Sequence, residues 1–144
     1  MQRLFTLALL AAGPALSSAK AASVEIEVGQ TYVCGGADLE DSVLVWVGKV
    51  EPLNAATPLS NGAIISVSMQ SIGVKQMPSV GHAPISAEKF GGCHLSDSEF
   101  PVGARTHFDE GYATWRAAYD NNEAGYWTLS PSEVYSTILG AIEP

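Results

Sequence analysis

The 144 residues are enough for one domain with a real hydrophobic core, and the two cysteines allow a single disulfide. Seven Lys and Arg stand against fifteen Asp and Glu, a formal net charge of −8. That balance excludes nucleic acid and anionic membrane surfaces, whose phosphates need clustered Lys and Arg, and admits a cationic partner.

The first twenty-one residues have the layout of a cleaved secretory signal peptide. Arg3 gives a positive start, Leu4 to Ala12 an apolar run, Gly13-Pro14 a break, and Ala15 to Ala21 a stretch of mostly small residues. Cleavage is expected after Ala21, with the position after Ala19 as the alternative, because both place small side chains where the peptidase needs them. The apolar run is about half the ~20 residues that a membrane span requires, so no stable anchor is expected after cleavage. The predicted division is therefore 1–21 signal peptide and 22–144 a single domain, secreted or periplasmic. Loss of Arg3 and Lys20 leaves five Lys and Arg against fifteen Asp and Glu, a charge of −10. In an exported chain Cys34 and Cys93 are expected to form a disulfide.

In chain order, Val24 to Val28 alternates apolar and acidic residues, the pattern of a half-buried strand, with Gln30 to Cys34 continuing it after an interruption at Gly29. Ser42 to Val50 is apolar on both faces and predicts a central strand, with Val43, Val45 and Val47 on one side and Leu44, Trp46 and Val50 on the other. Gly48 there leaves room for a large neighbour. Pro52, Pro58 and Asn61-Gly62 mark a connection. The next strand turns Ile65, Val67 and Met69 inward and Ser66, Ser68 and Gln70 toward water. A short extended piece at Gly81-His82 is expected to end at Pro84. Ser86 and Glu88 then read as the cap and first turn of a brief helix, stopped by Gly91-Gly92, with loop from His94 to Gly103.

The last third is helical. Phe108, Tyr112, Trp115 and Tyr119 recur at steps of four, three and four on one side of a helix, and Asn121-Asn122 end it. Tyr126 to Leu129 reads as a short strand. Ser130, Pro131 and Glu133 form a capping box that opens a final helix through Val134, Ile138 and Ile142. The expected fold class is α+β: an antiparallel sheet of about four to five strands with helices packed on one face.

Chemistry is thinly signalled. Ser86-Ala87-Glu88-Lys89 resembles the Ser-x-x-Lys of penicillin-recognising enzymes, but the companion Ser-x-Asn and Lys-Thr-Gly are missing. No Gly-x-Ser-x-Gly is present to hold a nucleophile. His94, Asp97 and Glu99, and then His107, Asp109 and Glu110, supply metal-ligand types without the His-Glu-x-x-His, Cys-x-x-Cys or calcium-loop spacing, so no metal or cofactor is expected. Eight of the twelve aromatic residues fall between Phe100 and Tyr135, spaced mainly as core. The candidate functional residues are His82, His94, Ser86 and Trp127.

The expectation for function is an exported, small, disulfide-tied binding or accessory protein, with inhibition of a cationic partner as one form of it. The alternative is a small periplasmic hydrolase or metal-dependent enzyme using His82, His94 and neighbouring acids.

Overall fold

The computed structural model describes residues 18–21, 24–35, 42–53, 62–73 and 77–142. The leader expected over 1–21 lies outside them except for Ser18–Ala21, which form a strand, β1, paired antiparallel with β2, Val24–Glu27. This two-stranded unit is not hydrogen-bonded into the main sheet but packs on it, with Ala19 and Ile26 buried in the same core. The main sheet has five antiparallel strands in the order β6-β5-β4-β3-β7: β3 Thr31–Cys34, β4 Val43–Pro52, β5 Ala63–Ser71, β6 Val80–Ser86 and β7 Cys93–Leu95. Two helices follow, α1 Phe108–Asp120 and α2 Pro131–Ile142. The class is α+β, and the valine-rich β4 occupies the centre of the sheet.

Gly29, at φ 89°, turns the chain from β2 toward β3. Tyr32 locks that corner: its hydroxyl accepts from the Glu27 backbone N–H at 2.9 Å and donates to the Glu25 carbonyl at 3.1 Å. Val28, read from its alternation as inward-facing, is exposed because it belongs to the turn. Cys34 and Cys93 face each other in register on β3 and β7 and are disulfide-bonded.

The main core lies on one face of the sheet. Val43, Val45, Val47 and Val50 of β4, Ile65, Val67 and Met69 of β5, and Ala83 and Ile85 of β6 meet Val134, Tyr135 and Leu139 of α2. Val50 joins the other valines, contrary to a strict alternation, because the β4–β5 register shifts between Val47 and Lys49. The capping box opens α2 as expected: the Ser130 backbone N–H donates to Glu133 Oε1 at 3.1 Å, and the Glu133 N–H points back to Ser130 Oγ.

Helix α1 packs on the other face. Phe108 sits directly over Gly48, where an added Cβ would lie 2.2 Å from the ring. The helices therefore cover both faces of the sheet, not one. The mistaken single-face expectation has a clear source in β5. Ser66 and Ser68 alternate with apolar residues as a solvated face would, yet both are 0% exposed beneath α1.

Four further expectations give way. Pro84 does not end β6 but lies within it, opposite Ser66. β6 is an edge strand, and the Pro84 nitrogen lies on its outer side, where β5 needs no donor. Ser86 precedes a 3₁₀ turn, Ala87–Phe90, and its side chain makes no capping bond. His94 and Leu95 belong to β7 and not to a loop, while Val102–Arg105 form a second 3₁₀ turn. The strand expected at Tyr126 to Leu129 shrinks to a single parallel bridge between Trp127 and Ile85, in which Ser86 N donates to Trp127 O and Trp127 N to Pro84 O.

Candidate functional site at the seam of β6 and α1

β6 bulges where it passes β5. Val67 pairs with Ala83 and Met69 with Val80, so Gly81 and His82 together span the width of Ser68. The Ser68 hydroxyl fixes the bulge by donating to the Gly81 carbonyl at 2.6 Å. The bulge keeps Val80 and Ala83 on the α2 side and turns His82 toward α1.

There the His82 ring is held by Ser66, with Nε2 and Oγ hydrogen-bonded at 3.0 Å. Around it stand the aromatic residues of α1. Phe108 and Tyr112 are edge-on to it, with centroids at 5.4 and 5.8 Å, and Trp115 is tilted against it at 5.6 Å. Burial pushes the imidazole pKa down to about 4, so the ring is neutral at physiological pH. This is not a catalytic serine–histidine pair. Ser66 is closed off from solvent, and among the described residues no carboxylate orients the imidazole.

Two glycines allow the close approach. A Cβ at Gly111, in the first turn of α1, would lie 2.8 Å from the His82 Cβ, and one at Gly81 would lie 3.1 Å from the His107 Cβ. The same missing side chains leave an open, shallow depression of about 500 Å³, lined by Gly81, His82, His107, Glu110, Gly111, Thr114 and Trp115. His107 and Glu110 are solvent-facing neighbours, 3.7 Å between Nδ1 and Oε1, on its rim. Trp115 is half-buried and anchored by its indole N–H, which donates to the Gly125 carbonyl at 2.7 Å.

Away from the depression, α1 is strapped to β4. Tyr112 donates its hydroxyl hydrogen to Glu51, and Arg116 donates to the other Glu51 oxygen at 3.2 Å and to Asp120 at 2.9 Å. Tyr119 donates to the Leu53 carbonyl at 2.7 Å. Burial first, and then the bond to Glu51, pushes the Tyr112 phenol up to about 12. Lys49 lies over the Tyr112 ring at 5.2 Å and Arg105 over Trp46 at 4.5 Å.

Of the four candidate functional residues named from sequence, only His82 belongs to this seam, while His107 and Glu110, read from sequence as metal-ligand types, lie on its rim. His94 is exposed on β7, at the opposite edge of the sheet. Four interstrand spacings of about 4.8 Å separate the two edges, roughly 19 Å, so His82 and His94 do not act on one substrate. Ser86 is buried at the end of β6. Trp127 is half-buried against the main core on the α2 side. Among the described residues, no three His, Cys, Asp or Glu side chains come together as a metal site.

Sequence reasoning overlooked Trp46, Glu51, Ser66, Ser68 and Arg116. One usable signal was present: Gly111 interrupts a strong helical pattern at a cost of about 1 kcal/mol relative to Ala, which flags a close neighbour.

No protein-family model, curated protein or solved structure matches the chain.

Proposed function

We propose that this is an exported binding or accessory protein that meets a protein partner at the seam of β6 and α1. The observation that carries the reading is the depression itself. A neutral, rigidly held His82 lies in it beside a half-buried Trp115, with an exposed carboxylate at the rim. Aromatic groups held rigidly next to polar ones are what contact surfaces use, because little side-chain entropy remains to be lost on association. The cavity is too shallow to enclose a small molecule as an enzyme or carrier site does. The Cys34–Cys93 bond supports action in an oxidising compartment, outside the cytoplasm. No described helix is long and apolar enough to cross a membrane.

The test is site-specific photo-crosslinking in the native host. A photoreactive residue at Thr114, on the rim, is expected to give one adduct of defined mass that disappears when Trp115→Ala is added. The same probe at Ser136, on α2, is expected to give none. Equal labelling at both positions, or no adduct from Thr114, rejects the seam as the contact surface.

A further inference from the structure

We infer that the leader is cut upstream of β1, at the Ser17–Ser18 bond, so that Ser18–Ala21 stay in the mature protein; this rests on export and not on the seam. Signal peptidase needs small side chains at the first and third positions before the bond it cuts. Ala15-Leu16-Ser17 meets that need, as do Ser17-Ser18-Ala19 and Ala19-Lys20-Ala21. The peptidase adds water across the chosen bond. At Ser17–Ser18 this leaves a carboxylate on Ser17 and an ammonium group on Ser18.

The fold separates the three bonds by what each cut takes away. β1 pairs with β2 along its whole length, Ser18 opposite Glu27, Ala19 opposite Ile26, Lys20 opposite Glu25 and Ala21 opposite Val24. β2 has no place in the five-stranded sheet, so among the described residues β1 is its only strand partner. Ala19 is 6% exposed and Ile26 0%, both within the main core. β1 also packs against the 3₁₀ turn Ala87–Phe90, where Ala87 and Phe90 are buried. A cut after Ala21 removes the whole strand: β2 loses its ladder, and Ile26 loses apolar cover. Unpaired backbone groups and uncovered apolar surface both cost free energy, and a bare β2 is an open edge for other chains. A cut after Ala19 removes the β1 side chain that is buried in the core. A cut after Ser17 is flush with the first paired residue and takes nothing from the fold. The new terminus also suits its surroundings. The Ser18 hydroxyl donates to Glu25 Oε2 at 3.1 Å, so the ammonium group joins a strand pair that carries the exposed carboxylates of Glu25 and Glu27.

The test expresses the full chain from Met1 in its native host. Protein recovered from outside the cytoplasm is then read by N-terminal sequencing and intact mass. Ser18 is expected as the first residue. In Ser17→Phe, which puts a bulky side chain next to the bond, the Ser18 terminus is expected to disappear; its persistence overturns the assignment. Any other first residue on the unsubstituted exported chain, Lys20 and Ala22 included, overturns the inference and leaves export standing. A chain that keeps Met1 and stays in the cytoplasm overturns both.

Discussion

The two faces of the five-stranded sheet are built by different rules. Toward α2 the contacts are aliphatic: valines, isoleucines and a methionine against Val134 and Leu139, with the Tyr135 hydroxyl donating to the Pro78 carbonyl at 2.7 Å. Each fully buried aliphatic side chain there is worth about 1.5–3 kcal/mol, and the attraction has no preferred direction. Toward α1 the same strands present Trp46, Ser66, Ser68 and His82, and nearly every contact is a hydrogen bond or a ring placed at a set angle. Buried polar groups are costly unless they are paired, so this face tolerates little rearrangement. The α2 face supplies stability, whereas the α1 face spends some of that stability on holding groups in place.

The largest expected effect tests the frame that both faces share. Replacing Cys34 and Cys93 together by Ala removes a crosslink spanning 59 residues of sequence and is expected to cost about 4 kcal/mol in urea unfolding. The sharpest test of the contrast uses adjacent residues of β5 that point to opposite faces. Ile65→Ala is expected to cost about 3 kcal/mol, mainly through the cavity it leaves. Ser66→Ala is expected to cost about 1 kcal/mol, through the lost partner of His82. Similar losses at both positions would mean that the faces do not differ in kind.

Gly48→Ala drives a methyl group into the Phe108 ring, and a loss of about 2 kcal/mol is expected. Because the methyl group meets the Phe108 ring of α1, the near-ultraviolet circular dichroism of the aromatic cluster should change more than the far-ultraviolet spectrum.

A further effect of modest size is the dependence on pH. His82 titrates at about 4 when folded against 6.5 when unfolded, so the unfolded chain binds the extra proton first as pH falls. The stability tied to neutral His82 is complete above pH 6.5 and is lost as pH falls toward 4. Partial exposure of the ring reduces the effect to about 1–2 kcal/mol. The difference between the native protein and His82→Gln between pH 5 and 6.5 isolates this contribution.

What could be read from the chain follows the same division. The valine-rich central strand, the Ser130–Glu133 cap, the aromatic stripe of α1 and the Cys34–Cys93 pair were legible because each is a local pattern or a forced pairing. The α1 face was not. Ser66 and Ser68 carry the alternation of a solvated strand, and only the placement of α1 reveals that they are covered. Ser66 and His82 meet across sixteen residues of sequence and a bulge that no composition marks. Pro84 was misread because its meaning depends on whether its strand is an edge, which is a property of the whole sheet. His94 was grouped with His82 by nearness in the chain, whereas the sheet order sends the two to opposite sides.

The outer margin of β6 has a consequence for how the protein keeps to itself. Pro84 removes one donor from that margin, and the Trp127 backbone takes up the carbonyl of Pro84 and the N–H of Ser86 beside it. At the far margin, β7 offers only three residues. These blunted borders give a second sheet little backbone on which to extend, and so work against fibril growth.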